Sequence, residues 1–280
     1  MWFLTAVLGA AAWGTADFVG GIAARRTHAL SVLALSTPVG LLVVLAAVAL
    51  DGWTTDGLVV ALVAGACAGL GLFCLYAALG IGPMSVVAPV SAVVGALIPV
   101  GAGLAAGERP GALSLVGTAV ALGAVVLVSR EPAPADGGRS DPKSRAGLVL
   151  ALVAGVGIGL SLVLLEHAAG DESRLAPLLP ARLAAWAAVA IAILVAKAPF
   201  VATTSARWLA AGAGLLDASA YVCYLLALRG GLLSVVGVLV SLYPAGTVLL
   251  ARVVLGERTS AVQNAGLGLA AVGVTLMVIG

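Results

Sequence analysis

Long uninterrupted apolar runs dominate this chain, broken only by short clusters of charged, proline and glycine positions. Runs of about 20 residues, each long enough to cross a hydrocarbon core roughly 30 Å thick, lie over 2–23, 30–50, 57–80, 84–106 and 111–129. Five more lie over 147–168, 175–196, 206–228, 231–254 and 261–280. Barrel strands alternate apolar and polar positions over about ten residues. These runs do not alternate and are rich in Ala, Leu, Val and Gly, so they predict ten transmembrane helices joined by short loops. The expected fold class is an all-α polytopic membrane protein.

The second half of the pattern echoes the first. A shift of 149 positions lays Cys74 on Cys223, Leu79 on Leu228, Ser85-Val86-Val87 on Ser234-Val235-Val236, and Gly107-Glu108-Arg109 on Gly256-Glu257-Arg258. The register continues through Gly117 on Gly266, Ala121 on Ala270 and Leu127 on Leu276. Five spans per half is an odd number, so the second copy enters the membrane from the opposite side and the halves are expected to be inverted repeats. The segment from Arg130 to Arg145, with Pro132, Pro134, Gly137, Gly138, Pro142 and seven charges, reads as a flexible solvated linker. The expected organisation is a first five-helix repeat over 1–129, a linker over 130–146 and a second five-helix repeat over 147–280.

Composition excludes a water-soluble globule: 62% of residues are apolar, 9% are charged and the mean hydropathy is +1.20, against a charged share of about a quarter in soluble domains. The 37 glycines fit membrane helices, where small residues let backbones approach. A formal net charge of +2, with no basic patch, phosphate loop or metal-ligand spacing, makes nucleic acid, a cofactor or a metal unexpected. The three cysteines, Cys67, Cys74 and Cys223, fall inside spans and read as small packing residues. The N-terminal apolar stretch has no positive leader and is too long for a signal core, so it reads as a retained first span. More Arg and Lys residues fall on the linker side than on the side of the termini, which by the positive-inside rule sets the termini outside.

Several motifs converge on one family. Trp13-Gly14 with Asp17 in the first span, Leu75-Tyr76-Ala77-Ala78-Leu79 before Gly82-Pro83-Met84-Ser85-Val86-Val87-Ala88-Pro89, and the doubled Gly-Glu-Arg turns together resemble the EamA family of the drug/metabolite transporter superfamily. The resemblance covers essentially the whole chain. It implies a secondary carrier or exporter of small organic metabolites, working by alternating access in a membrane, here that of a bacterial cell, without a bound cofactor. It also implies cytoplasmic termini, opposite to the charge count.

Polar residues inside the spans are few, and an ionisable group at bilayer depth is a functional hypothesis by default. Asp217 lies near the middle of the eighth span with Tyr221 and Tyr224 on the same helical face. Either this stripe lines the substrate path, or Asp217 forms a buried ion pair with Arg182 of the seventh span. A desolvated Asp217 carboxyl can also titrate during a cycle and couple transport to protons. Arg182 can grip a carboxylate or phosphate, or snorkel to the interface. Asp17 maps onto Glu166 and Arg25 onto Arg174 under the same shift, which makes the two acids either paired gates or coupling groups, or simple interface anchors. Trp13 reads as a wall of the substrate space or as an interface anchor. Pro89, Pro99 and Pro244 bend their helices and are hinge candidates or packing features. Glu108 and Glu257 are assigned to turn structure, and His28 and His167 to the surface.

The expected substrate site is therefore walled by Trp13, Arg182, Asp217, Tyr221 and Tyr224. An intramembrane lipid-modifying enzyme would need clustered His, Asp, Glu or Ser at one face, which two histidines cannot supply. A non-transporting partner or sensor would need an extramembrane domain or tail, and only a short linker is present.

Overall fold

A computed structural model describes residues 1–81, 84–128, 142–169, 175–196, 203–255 and 260–279. The expected linker core, Arg174 and the turn at Gly256-Glu257-Arg258 lie outside these described residues. The first half comprises α1 (Trp2–Arg26), α2 (Ala29–Asp51), α3 (Leu58–Ile81), α4 (Met84–Ala105) and α5 (Ala112–Val128). The second comprises α6 (Pro142–Ala168), α7 (Leu178–Ala196), α8 (Thr204–Ala227), α9 (Leu233–Val240), α10 (Tyr243–Leu255) and α11 (Ala261–Ile279).

The chain is thus an all-helical polytopic membrane protein. Among the described residues, six helices are long and apolar enough to cross a bilayer, and four shorter apolar stretches, Val90–Ala105, Ala112–Ala124, Leu233–Thr247 and Asn264–Met277, accompany them. Their outward faces carry large apolar side chains such as Leu42, Val59, Leu194 and Trp208, more than half exposed, as lipid contact requires.

Two boundaries differ from the expected ones. α6 starts at Pro142 rather than 147; proline fits a first helical turn because the N–H it lacks has no intrahelical partner there. The ninth span is not one helix. It breaks at Ser241-Leu242 between α9 and α10, with Pro244 in the first turn of α10. Ordinary side-chain caps mark other starts: His28 Nδ1 accepts from the Leu30 N–H at 3.3 Å, and Thr203 Oγ1 from the Ala206 N–H at 3.3 Å.

The halves interleave instead of standing side by side. α1 packs chiefly on α8 and α3 on α6; α2 packs on α8 and α3 on α7; α1 meets α9 and α10 while α4 meets α6. Each pairing in this series recurs when a helix is exchanged for its counterpart in the other half. Three further pairs, α5 with α11, α2 with α7 and α4 with α9, join counterparts directly.

Glycine makes these crossings possible. A Cβ on Gly65 of α3 would run into the backbone of Ala181 on α7, and one on Gly214 of α8 into the backbone of Ser36 on α2. Gly65 and Gly214 are themselves 149 positions apart, so one packing device is used twice. Without hydrophobic driving force between helices in lipid, this close van der Waals approach is what holds them.

The end of the bundle that carries the N-terminus is tied across the halves. Asp51 at the end of α2 forms an ion pair with Arg229 after α8, and its Oδ2 accepts from the Leu175 N–H at 3.0 Å. Glu108 accepts from the N–H groups of Leu233 at 2.7 Å and Ser234 at 2.9 Å, capping α9 from the other half. The sequence assigns Glu108 to a turn; in space it also clamps a helix 125 residues away.

Candidate functional site

Where α1, α7 and α8 meet, the buried polar residues converge. Arg182, four residues into α7, stands with Nη2 at 2.6 Å from Asp217 Oδ2. The other carboxylate oxygen of Asp217, Oδ1, accepts from Trp13 Nε1 at 3.0 Å. Of the readings open for Arg182, snorkelling fails: the residue is 9% exposed and turned into the bundle. The guanidinium also lies 4.8 Å from the centre of the Tyr221 ring, which in turn meets Trp13 edge-on at 4.9 Å between centroids.

Local sequence explains the placement. Asp217 and Tyr221 are one turn apart on α8 and project together. Gly14, beside Trp13, lets α10 approach so closely that a Cβ there would strike the Tyr243 carbonyl, and Thr247 Oγ1 donates to the Gly14 carbonyl at 3.0 Å. This crossing fixes the rotation of α1 and with it the direction of Trp13 and Asp17.

These side chains border a cavity that opens to the outside, with about 730 Å³ of empty space including the open solvent at its mouth. Trp13, Asp17, Arg182, Asp217 and Tyr221 line it, joined by Thr37, Ser91, Ser241 and Tyr243 and by apolar walls from Leu33, Leu72, Leu75, Ile158, Leu162 and Val189. The break between α9 and α10 falls on this wall, as irregular backbone at membrane depth does where it lines a cavity.

Counterpart positions from both halves border the same space. Leu33 and Arg182, Ala68 and Asp217, Leu72 and Tyr221, Trp13 and Leu162, Ser91 and Val240, and Ala92 and Ser241 all line the cavity, and each pair is separated by 149 positions.

Not every expected residue joins the site. Tyr224 is fully buried and is not among the lining residues; its hydroxyl donates to the Leu162 carbonyl at 3.0 Å, braced at 6.3 Å from the Trp13 ring. The helical stripe from Asp217 is longer than the cavity, and Tyr224 falls past its end. Asp17 and Glu166, counterparts in sequence, are unlike in space. Asp17 is 5% exposed and on the cavity wall, whereas Glu166 is half-buried near the end of α6 and away from it. Arg25 is exposed and forms no pair with Asp17 among the described residues. Pro99 packs near Gly237, where a Cβ would come within 2.7 Å of its Cγ; Pro89 lies within α4.

Sequence reasoning missed Thr37, Ser91, Ser161 and Ser241. Ser161 shares a 3.5 Å hydrogen bond with the Tyr221 hydroxyl, and Ser91 one of 3.0 Å with that of Tyr243. Isolated hydroxyls in apolar helices commonly bond their own backbone, and no local signal separates these from the rest.

Apolar helices, six of them among the described residues of membrane-spanning length, thus enclose a largely apolar cavity with a few charged side chains at the junction of two repeated halves. The EamA-like transporter family matches residues 1–130 and 145–279, and the chain belongs to that family, whose members are transporters. A crystal structure of a protein 20% identical in sequence superposes with a TM-score of 0.76 over 99% of this chain and 96% of the other; at that identity the likeness shows the fold alone. No curated protein matches the chain.

Proposed function

We propose that this protein is a secondary transporter, an exporter or exchanger, of a small organic metabolite in the plasma membrane of a bacterial cell. The halves act as inverted five-helix repeats that rock about the cavity and open it alternately to the two sides. The observation that carries this reading is the cavity itself: one polar cluster, walled by counterpart residues of both halves. Binding at the interface of related repeats lets a single site face either side. The ties from Asp51 and Glu108 at the end bearing the N-terminus fit a state closed at that end. Pro244 at the α9–α10 break, with Pro89 and Pro99, supplies hinges.

Within the wall, Arg182 and Asp217 neutralise each other, so Asp217 serves to hold Arg182, Trp13 and Tyr221 in place. Asp17 has no hydrogen-bond or ion-pair partner among the described residues, which makes it the better coupling group for protons. Glu166, outside the cavity, is left as an interface anchor.

The test is counterflow in proteoliposomes loaded with amino acids, amines, nucleosides and sugars, repeated with Asp17→Asn and Asp217→Asn. Flux of at least one solute is expected in the native protein. Asp17→Asn should remove its dependence on a pH gradient, and unchanged flux and pH dependence would exclude coupling through Asp17. Absence of flux for every solute class would turn the reading toward a non-transporting membrane partner.

A further inference from the structure

The charges on the cavity wall do not balance. Among the described residues, three ionisable groups with full formal charges line it: Arg182, Asp217 and Asp17. Arg182 is matched by Asp217 at 2.6 Å, so Asp17 is the surplus. It is 5% exposed and has no counter-charge among the described residues. Its electrostatic neighbours are Asp217 of α8, Tyr76 of α3, Tyr221 of α8 and Tyr243 of α10, one acid and three phenols, with no cation among them. A carboxylate held in such a place is costly unless a cation meets it.

We infer that the ligand of this cavity is a monovalent organic cation with an apolar body, an ammonium group set against Asp17. This rests on the cavity being the transport site. A cation brings the sum of the wall and the ligand to zero, an anion brings it to two negative charges, and a zwitterion leaves it at one while setting its own carboxylate near Asp17 and Asp217. Surroundings fit the same chemistry. The Trp13 ring on the cavity wall suits a cation or an aromatic ring, and Leu33, Leu72 and Leu75 offer apolar wall for the body. Arg182 Nη2 is buried and held by Asp217 at 2.6 Å, so it is not open to an anionic group on the ligand. At low pH a proton takes the cation's place, so cation and proton compete for one carboxyl.

Charge-selective thiol labelling tests this on the full chain in lipid nanodiscs. Cys67, Cys74 and Cys223 are replaced by Ala, and Thr37→Cys supplies a reporter on the wall. Its labelling rates with the cationic trimethylammonium-ethyl and the anionic sulfonatoethyl methanethiosulfonates are each divided by the rate for a free thiol. The expected cation-to-anion ratio is about tenfold, falling towards unity with Asp17→Asn and kept with Asp17→Glu. Phenethylamine should slow the labelling, while phenylacetate, phenylalanine and phenylethanol should not. A ratio near unity in the native background, a ratio that survives Asp17→Asn, or protection by phenylacetate or phenylalanine equal to that by phenethylamine overturns the inference and leaves the cavity as a transport site intact. Failure of both reagents to react at all overturns the inference and the accessible cavity together.

Discussion

The two halves of the cavity wall occupy equivalent positions and carry opposite chemistry. On the side built by α2 and α3 stand Leu33, Ala68 and Leu72; at the same positions of α7 and α8 stand Arg182, Asp217 and Tyr221. The helix crossings that position both sides are alike, down to Gly65 and Gly214 touching the facing backbone. The repeat therefore accounts for the frame, while at these three positions the polar groups stand in the second half and Trp13, Asp17 and Ser91 bring others from the first. Ligand affinity is then expected to depend on the second half's wall and on Asp17, while the motion depends on both halves alike.

The largest effect expected comes from breaking the polar side. Arg182→Ala leaves Asp217 buried without its cation and should cost about 3–5 kcal/mol, read as thermal unfolding of the purified protein in detergent. Writing the first half's residues into the second, Arg182→Leu with Asp217→Ala, should recover most of that stability while abolishing transport. A double variant as unstable as the single one would mean that the pair is not acting as a unit.

The frame should respond equally from both sides. Gly65→Ala and Gly214→Ala each push a methyl group into facing backbone and should each cost about 1–3 kcal/mol. Effects that differ widely between the two would show that the crossings are not equivalent. Trp13→Phe keeps a ring but removes the N–H that reaches Asp217, a loss of about 1–3 kcal/mol; the counterpart change Leu162→Phe tests packing alone.

Smaller effects belong to the ties at the N-terminal end. Glu108→Gln weakens the cap on α9 by about 1 kcal/mol, measurable as faster amide exchange at Leu233 and Ser234. Arg229→Ala should change stability by no more than about 1 kcal/mol, because the Arg229 side chain is 47% exposed, and salt should erase most of the difference.

Much of this protein was legible in order of residues. Continuous apolar runs located the membrane helices to within a few residues, because hydrocarbon thickness sets their length. The echo at 149 positions singled out Asp217 and Arg182 as departures from the repeat, and the two meet in space. Tyr224 was placed in the site by helical phase alone, yet phase gives direction and says nothing of where a cavity ends. The break in the ninth span was hidden because Ser241-Leu242 keeps the apolar run unbroken.

Sequence by itself determined that the chain is a duplicated, all-helical membrane protein with a few buried charges, since lipid admits little else for such a composition. Tertiary structure decided which of those charges are spent and which are spare. Asp17 and Glu166 are the same residue in the repeat, but only the rotation of α1, fixed where Gly14 meets α10, turns its acid into the cavity. Asp217 finds Arg182 and Trp13; Asp17 finds no cation among the described residues. Burial and pairing depend on what lies across the interface, and no local stretch of chain records that.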